Sequence, residues 1–148
     1  MIIIDTKASD YKIIDGITNI PLYDFKPLKY KIRNTDYTDF IFQSTQAVLK
    51  FSNHINLLKK KNIRVYAMGH TTSEVLSSFG IKSISPDKPG SRHLINILKE
   101  NIDNRKFLIV KGSGGLNDIN KFLKESDVLS EEINVYERIE LKDYKAFK

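Results

Sequence analysis

The sequence predicts an α/β fold in which a parallel five-stranded sheet carries helices on both faces, preceded by a short N-terminal appendage of strands and linker. Two patterns from Asp39 onward support this prediction. Short apolar runs with little polar alternation are typical of strands that are buried on both faces of a parallel sheet. Between them lie amphipathic stretches with apolar residues three and four positions apart, as on one face of a helix. Such alternation predicts parallel strands whose ligands bind beyond their carboxyl ends.

Five segments of this region are predicted as strands. Most are continuous apolar runs, whereas the third is shorter and weaker, and the last alternates as an edge or exit strand does. They cover residues 40–42, 65–68, 81–84, 107–110 and 133–139.

Four apolar stripes predict the helices. The second ends before Gly80, and glycine is a natural stop because it adopts the left-handed conformation that closes many helices. The stripes are formed by Val48, Phe51, Ile55 and Leu58; by Val75, Leu76 and Phe79; by Leu94, Ile95, Leu98 and Ile102; and by Leu116, Ile119, Phe122 and Leu123.

The beginning of the chain lacks such stripes. Short strands are predicted at residues 2–4, 13–14 and 20–25, and Pro21 and Pro27 favour an extended connection after them. The predicted organisation is an N-terminal appendage over residues 1–37, an α/β lobe over residues 38–140, and a crossing segment or tail over residues 141–148.

Composition limits the function classes. The 148 residues fit one domain with a modest core, and no apolar run approaches the roughly 18 residues of a membrane span. The first residues do not resemble a secretory signal. The absence of cysteine excludes disulfides, thiolate zinc sites and cysteine nucleophiles, and it is compatible with a reducing compartment. We therefore predict a cytoplasmic protein that does not bind membranes.

The net charge of +6 has two interpretations. A basic protein suits an anionic partner such as a polycarboxylate small molecule, but lysines spread through the sequence also suit a solubility surface. Because no basic stripe is interleaved with aromatic residues, nucleic-acid binding is not predicted.

Small turns rich in glycine or hydroxyl groups follow the predicted strands, and each turn opens a helix. Such residues cap the free N–H groups of a helix start. In a parallel sheet they would also share one edge, where helix N-termini and glycines favour bound anions. The candidate binding residues are Ser44, Thr45, Gly69, His70, Thr71, Ser91, Lys111, Gly112, Ser113, Gly114 and Gly115.

Other chemistries find less support in the sequence. Residues 112–115 lack the Lys-Ser/Thr ending of a P-loop, and the histidines lack the paired ligands of a metal site. His70 could meet Ser44 across the sheet edge, but no nucleophile elbow surrounds that serine, so hydrolase chemistry is not predicted. Tyr136 is either a packed tyrosine with its hydroxyl at the rim or a proton donor at the ligand surface.

Five segments, in order and over about two thirds of the chain, resemble motifs of the uroporphyrinogen-III synthase family. Residues 39–48 resemble D-x-hydrophobic-F-T-S-x-x-A-V, with Gln43 in place of threonine. The others are residues 65–80, similar to hydrophobic-G-x-x-T-A-x-x-L-x-x-x-G; residues 91–94, similar to S-x-x-L; residues 108–115, similar to L-R-G-x-x-G-R, with Lys111 for one arginine; and residues 135–138, which match V-Y-x-R.

This resemblance implies a flavodoxin-like lobe and a reaction. Family members convert hydroxymethylbilane, a linear octacarboxylate tetrapyrrole, to uroporphyrinogen III, with loss of water, inversion of the last ring, and no metal or other cofactor. Carried over to this chain, Thr72 and Tyr136 match the catalytic positions, and Tyr136 would assist departure of the hydroxyl. Ser44, Ser91, Gly112 and Gly115 match positions that contact the acid groups of the substrate.

The sequence also departs from the family. Members have two similar lobes joined by a two-strand connection, whereas this chain matches mainly one lobe. Three hypotheses therefore remain open: a short synthase, active alone or as a homodimer that supplies a second wall; a partial homologue that binds an anionic ligand or partner without catalysis; and an unrelated flavodoxin-like binding domain.

Overall fold

The computed structural model describes residues 22–141, which form one five-stranded sheet and its covering helices. The predicted strands at residues 2–4 and 13–14 lie outside the described residues. In chain order the elements are β1 (Leu22–Pro27), β2 (Asp39–Phe42), α1 (Thr45–Lys50), a 3₁₀ helix (Ser52–Lys59), β3 (Arg64–Ala67), α2 (His70–Ser78), α3 (Ser91–Leu98), β4 (Lys106–Gly112), α4 (Asp118–Glu125) and β5 (Leu129–Leu141).

The sheet is mixed, so the prediction of a purely parallel sheet is wrong. Its strand order is β1-β5-β4-β2-β3, with β2, β3, β4 and β5 parallel and β1 antiparallel to β5. The fifth strand is thus β1, whereas the predicted strand at residues 81–84 contributes only an isolated bridge between Ile84 and Tyr66. That segment is short, and proline and serine follow it, so it cannot extend into a full strand.

Helices cover both faces of the sheet, as predicted, because alternate residues of each buried strand point in opposite directions. On one face, Phe40 and Phe42 of β2 share a cluster with residues of α1, the 3₁₀ helix and α2. On the other face, Ile41 packs with residues of α3 and α4. Both sides of β2 and β4 are therefore buried, which explains their continuous apolar sequences.

The second helix ends as its sequence predicts. Gly80 has φ +80° and its N–H donates to Ser77 O at 2.9 Å, while Ile81 N–H donates to Leu76 O at 3.0 Å. These two bonds form the Schellman arrangement, which satisfies carbonyls at the helix end.

The helix predicted from Val48 to Leu58 is instead interrupted. It divides into α1 and the 3₁₀ helix, and His54 has the non-helical angles φ −115° and ψ 17°. Ser and Asn residues follow Phe51, and such side chains compete with helical backbone bonds. The apolar spacing survives because the tighter 3₁₀ turn still presents Leu58 to the core.

The topology creates a switch point between β2 and β4. From β2 the chain crosses to β3 on one side, then returns to β4 on the other side of β2. Ligands of open α/β sheets bind at such points, beyond the carboxyl ends of the strands. Here those ends lead to Ser44 after β2 and to residues 112–115 after β4.

Candidate functional site

A hydrogen bond between Ser44 and Tyr136 lies at this switch point. Ser44 directly precedes α1 in an extended conformation, and its Oγ accepts the N–H of Ala47 at 3.1 Å, so it caps the helix. The same Oγ lies 2.8 Å from Tyr136 Oη, and either hydroxyl can be the donor. Ser44 Oγ therefore caps the helix and also contacts Tyr136 in the candidate site, so both interpretations apply to the same atom. Thr45, the first residue of α1, is half-buried beside it.

Gly112 allows the Tyr136 ring to take its position. A Cβ atom built on Gly112 would lie 2.4 Å from Cζ and 2.8 Å from Oη of that tyrosine. The two residues face each other across β4 and β5, where the register shifts between Lys111 and Gly112. Glycine is therefore required at this position by close approach of an aromatic ring.

Residues 112–115 form a β-turn, which we call the glycine turn. Gly115 N–H donates to Gly112 O at 3.1 Å, and Gly114 has φ +77°, the left-handed value that a type II turn needs at its third position. Ser113 N–H donates to Tyr136 O at 2.8 Å, which ties the turn to β5. Ser113, Gly114 and Gly115 are exposed, so a ligand can approach their backbone.

The glycine turn and Tyr136 line a cleft of about 270 Å³ together with Phe25 and Arg138. Phe25 meets the tyrosine ring edge-on, with the ring centroids 5.7 Å apart. Sequence reasoning missed both residues as site members. Arg138 belongs to the V-Y-x-R segment, so a sequence motif marks its position. Phe25 lies on β1, and no local sequence pattern predicts that β1 pairs with β5.

Lys111 faces the inside of the glycine turn. The residue is 3% exposed, and Nζ donates to Gly115 O at 3.3 Å, Leu116 O at 3.2 Å and Asn117 Oδ1 at 2.8 Å. All three ammonium hydrogens therefore have protein acceptors. In this conformation Lys111 stabilises the turn, and its predicted contact with a ligand stays a prediction.

The candidates after β3 lie beside those after β2, because Met68 N–H donates to Phe42 O at 3.1 Å. Gly69 caps α2 and approaches Pro89, where a Cβ would be 3.0 Å from Pro89 Cβ. His70 and Thr71 are exposed, whereas Thr72 is buried. Among the described residues, no hydrogen bond joins His70 to Ser44.

Ser91 is directed toward another helix. It is buried at the start of α3, and its hydroxyl donates to Asp118 Oδ2 at 2.9 Å at the start of α4. The bond joins the two helices of that face. Gly90 before it has φ +131°, which favours glycine.

Gln43, the residue that replaces threonine in the first motif, also lies at the glycine turn. Its Oε1 is 3.8 Å from a Cβ built on Gly115, and its buried Nε2 has no hydrogen-bond partner. The motif comparison drew attention to this position, but the sequence did not indicate an unpaired amide there.

Within residues 22–141, no group of histidine and acidic side chains has an arrangement that would hold a metal ion. The helices of this same region also lack the length and apolarity that a membrane crossing requires.

Comparison with known proteins gave matches to a solved structure and to a family model. A solved structure, the crystal structure of uroporphyrinogen-III synthetase from Helicobacter pylori 26695, matches with a TM-score of 0.65 and 18% identity over 93% of this chain. The match spans 64% of that chain, and at this identity it shows a shared fold. The search of curated proteins gave no match. The family model described as uroporphyrinogen-III synthase HemD matches residues 17–147, and the chain therefore belongs to the uroporphyrinogen-III synthase family.

Proposed function

We propose that this chain takes part in converting hydroxymethylbilane to uroporphyrinogen III and that it carries the wall of the active site that holds Tyr136. The observation that supports this most directly is the hydrogen bond of 2.8 Å between Ser44 and Tyr136 at the switch point of the sheet, next to the cleft at the glycine turn. Family membership supports the substrate class, and the cleft supports the place.

In the proposed mechanism Tyr136 is the proton donor. Ser44 Oγ already accepts the Ala47 N–H, so its own hydrogen is available for Tyr136 Oη. The hydrogen of Tyr136 Oη is then available for a ligand in the cleft that this tyrosine lines. The hydroxymethyl oxygen of the substrate takes this proton and leaves as water while its C–O bond breaks, and the pyrrole electrons stabilise the carbon left behind. The substituted α carbon of the last ring bonds to this carbon to give a spiro intermediate, and the bond from that α carbon to its original methylene bridge then breaks. The freed bridge bonds to the other α carbon of the same ring, which inverts the ring, and the proton lost from that carbon restores the tyrosine.

Binding in this proposal uses the backbone more than side-chain charge. In the glycine turn the N–H of Gly114 would receive a substrate carboxylate, since those of Ser113 and Gly115 already donate to Tyr136 O and Gly112 O. The N–H groups of His70, Thr71 and Thr72 at the start of α2 would receive others. Arg138 lines the same cleft and would place a cation near them. Lys111 and Ser91 would act indirectly, since they hold the turn and the two helices in place.

An active site of this kind would also have a wall opposite Tyr136, which residues 22–141 do not form. Beyond Tyr136, residues 137–141 pair only with β1, and this two-stranded ribbon would be the connection to a second lobe. The remaining wall of the active site would come from that lobe or from a second copy of the chain. The reaction would take place in the cytoplasm.

The test is the isomer produced. The purified chain is supplied with hydroxymethylbilane, and type I and type III products are separated chromatographically at several protein concentrations, which also reveals a requirement for dimers. Type III product above the spontaneous type I background is expected. Tyr136→Phe keeps the ring over Gly112 but removes the proton, and a rate about 100-fold lower is expected.

Tyr37→Phe is the matched control. It removes another buried hydroxyl, one without a hydrogen-bond partner, and should keep wild-type turnover. Formation of type I product alone by the wild-type chain contradicts the proposal. Thermal stabilisation by the tetrapyrrole without turnover would then favour the binding-only hypothesis.

A further inference from the structure

Basic residues occur throughout the sequence, but the net positive charge is concentrated in one stretch. Residues 26–64 contain nine Lys and Arg residues but only two acidic residues, whereas the remainder has fifteen basic and sixteen acidic residues. Both acids of the stretch have partners elsewhere: Asp39 pairs with Arg105 at 2.6 Å, and Asp36 pairs with Lys106 at 2.9 Å. The basic excess of the stretch is therefore not neutralised from within it.

Folding gathers six of these cations on one side of the molecule. Residues 28–34 run without helical structure between β1 and β2, with Tyr30 and Ile32 packed against the core, so the residues between them face solvent. Tyr30 Oη lies 2.9 Å from His54 Nδ1 of the 3₁₀ helix, which brings this segment beside that helix. The six exposed cations, which we call the basic strip, are Lys29, Lys31, Arg33, Lys59, Lys60 and Lys61.

The two halves of the basic strip adjoin each other. Asn34, next to Arg33, lines the same small crevice as Lys60 at the amino edge of the sheet. At the opposite end, Leu28 N–H donates to Val135 O at 3.0 Å, and Val135 directly precedes Tyr136. The strip thus runs from the neighbourhood of the candidate site to the far edge of the sheet.

The strip attracts anions but offers little to hold them in one place. Within residues 22–141, none of its six cations forms an ion pair. The large exposed apolar side chains of that region lie elsewhere, at Leu49, Ile84, Leu116 and Leu129. A tight protein interface needs apolar or aromatic anchors, and single-stranded nucleic acid needs aromatic rings for stacking. Exposed lysines alone act mainly on the rate of encounter.

We propose that the basic strip steers a polycarboxylate ligand to the Tyr136 cleft. This inference rests on the proposed function, because that function supplies an octacarboxylate as the ligand. Focused fields of this kind raise association rates by roughly 10- to 1,000-fold, and salt suppresses the effect.

The cations of the basic strip lie at different distances from the candidate site, so they should respond differently to salt. An extended chain spans at most about 3.3–3.6 Å per residue, so Lys29 and Lys31 lie within about 10 Å of the bond between Leu28 and Val135. Asn34, which lines the crevice with Lys60, can lie up to about 20 Å from that bond. The Debye length is about 30 Å at 0.01 M salt and about 8 Å at 0.15 M. The near cations should therefore act at both salt concentrations, and the far cations at low salt only.

The experiment compares three double charge reversals that change net charge equally. Lys29→Glu/Lys31→Glu removes the near cations and Lys60→Glu/Lys61→Glu the far ones. Lys99→Glu/Lys124→Glu is the control, at exposed positions after α3 and in the last turn of α4, on the other face. The association rate of a fluorescent octacarboxylate porphyrin is measured by stopped flow at about 0.01, 0.15 and 1 M salt.

The near variant should associate about tenfold more slowly at 0.01 M and two- to threefold more slowly at 0.15 M. The far variant should be slower only at 0.01 M, the control should change by less than about twofold, and all rates should converge at 1 M. An equal loss in the control, a loss that persists at 1 M, or no measurable association with the wild-type chain would overturn the proposal. The isomer assay decides the proposed function separately, since a chain that forms no type III product still gives an association rate.

Discussion

Replacement of Gly112 by alanine tests whether the position of Tyr136 requires a residue without a side chain beside its ring. The new Cβ would lie 2.4 Å from Tyr136 Cζ, where an ordinary contact is at least 3.4 Å, so the ring has to move by about 1 Å. A movement of this size away from Ser44 takes the 2.8 Å hydroxyl distance beyond hydrogen-bonding range.

The expected cost has two parts. Overpacking at a close contact costs about 1–3 kcal/mol, and loss of the bond between Ser44 and Tyr136 costs about 1 kcal/mol. We therefore expect Gly112→Ala to lower the free energy of unfolding by about 2–4 kcal/mol. Under the proposed function Tyr136 donates a proton, so its displacement by about 1 Å should also lower the rate of type III formation by about 100-fold.

Urea unfolding and the isomer assay are the measurements, and Gly80→Ala is the control. Gly80 also resists substitution, but for its φ of +80°, and a Cβ there meets nothing within 4 Å. It should lose about 1–2 kcal/mol of stability and keep its activity at temperatures where it is folded.

A double-mutant cycle with Tyr136→Ala completes the test. Without the ring there is no clash, so Gly112→Ala should cost less than about 1 kcal/mol in that background. An equal cost with and without the tyrosine ring would refute the packing argument.

Three further predictions concern the support of the site and the core. Arg105→Leu leaves the fully buried Asp39 carboxylate without its cation and should cost about 3–5 kcal/mol in urea unfolding at pH 7, whereas Lys106→Leu, whose ion-pair partner is exposed, should cost less than about 1 kcal/mol. Lys111→Met keeps the apolar stem but leaves three oxygens without their donor, so the free energy of unfolding in urea should fall by about 2–3 kcal/mol. A fall of less than about 1 kcal/mol would show that the glycine turn is stable without the ammonium group. Burial raises the pKa of Tyr66, so the contribution of its neutral hydroxyl to stability is complete below the ordinary tyrosine pKa of about 10 and is lost as pH rises through the higher folded value. Above about pH 10 the free energy of unfolding should therefore fall more steeply for the wild type than for Tyr66→Phe, and parallel curves would contradict this.

The parts of the fold that the sequence predicted well are those with local causes. Gly80 marked the end of α2 because only its own conformation and two neighbouring hydrogen bonds are involved. The direction of the edge strand had no such cause. β1 pairs with β5, whose register joins Phe25 to Arg138 across more than a hundred residues, and no short sequence pattern encodes that contact.

The same distinction applies to the site. The turns at Ser44 and at residues 112–115 were predicted because small residues after a buried strand are a local signal. The partners of these residues were not. Lys111 was predicted to contact a ligand because it stands where the family motif has an arginine, and in this structure its ammonium hydrogens bond to the turn. Ser91 likewise bonds to Asp118, which lies 27 residues further along the chain.

The mixed sheet also explains why Tyr136 is held so firmly. β5 runs parallel to β4 as far as the pairing of Gly112 with Tyr136, and beyond it β5 pairs only with β1. The tyrosine therefore sits where the sheet narrows to two strands, with Gly112 against its ring, Phe25 at its edge and Ser44 at its hydroxyl. A purely parallel sheet would have left one side of the ring open. The antiparallel strand thus supports the candidate proton donor, and the positioning of that donor depends on a residue more than a hundred positions before it.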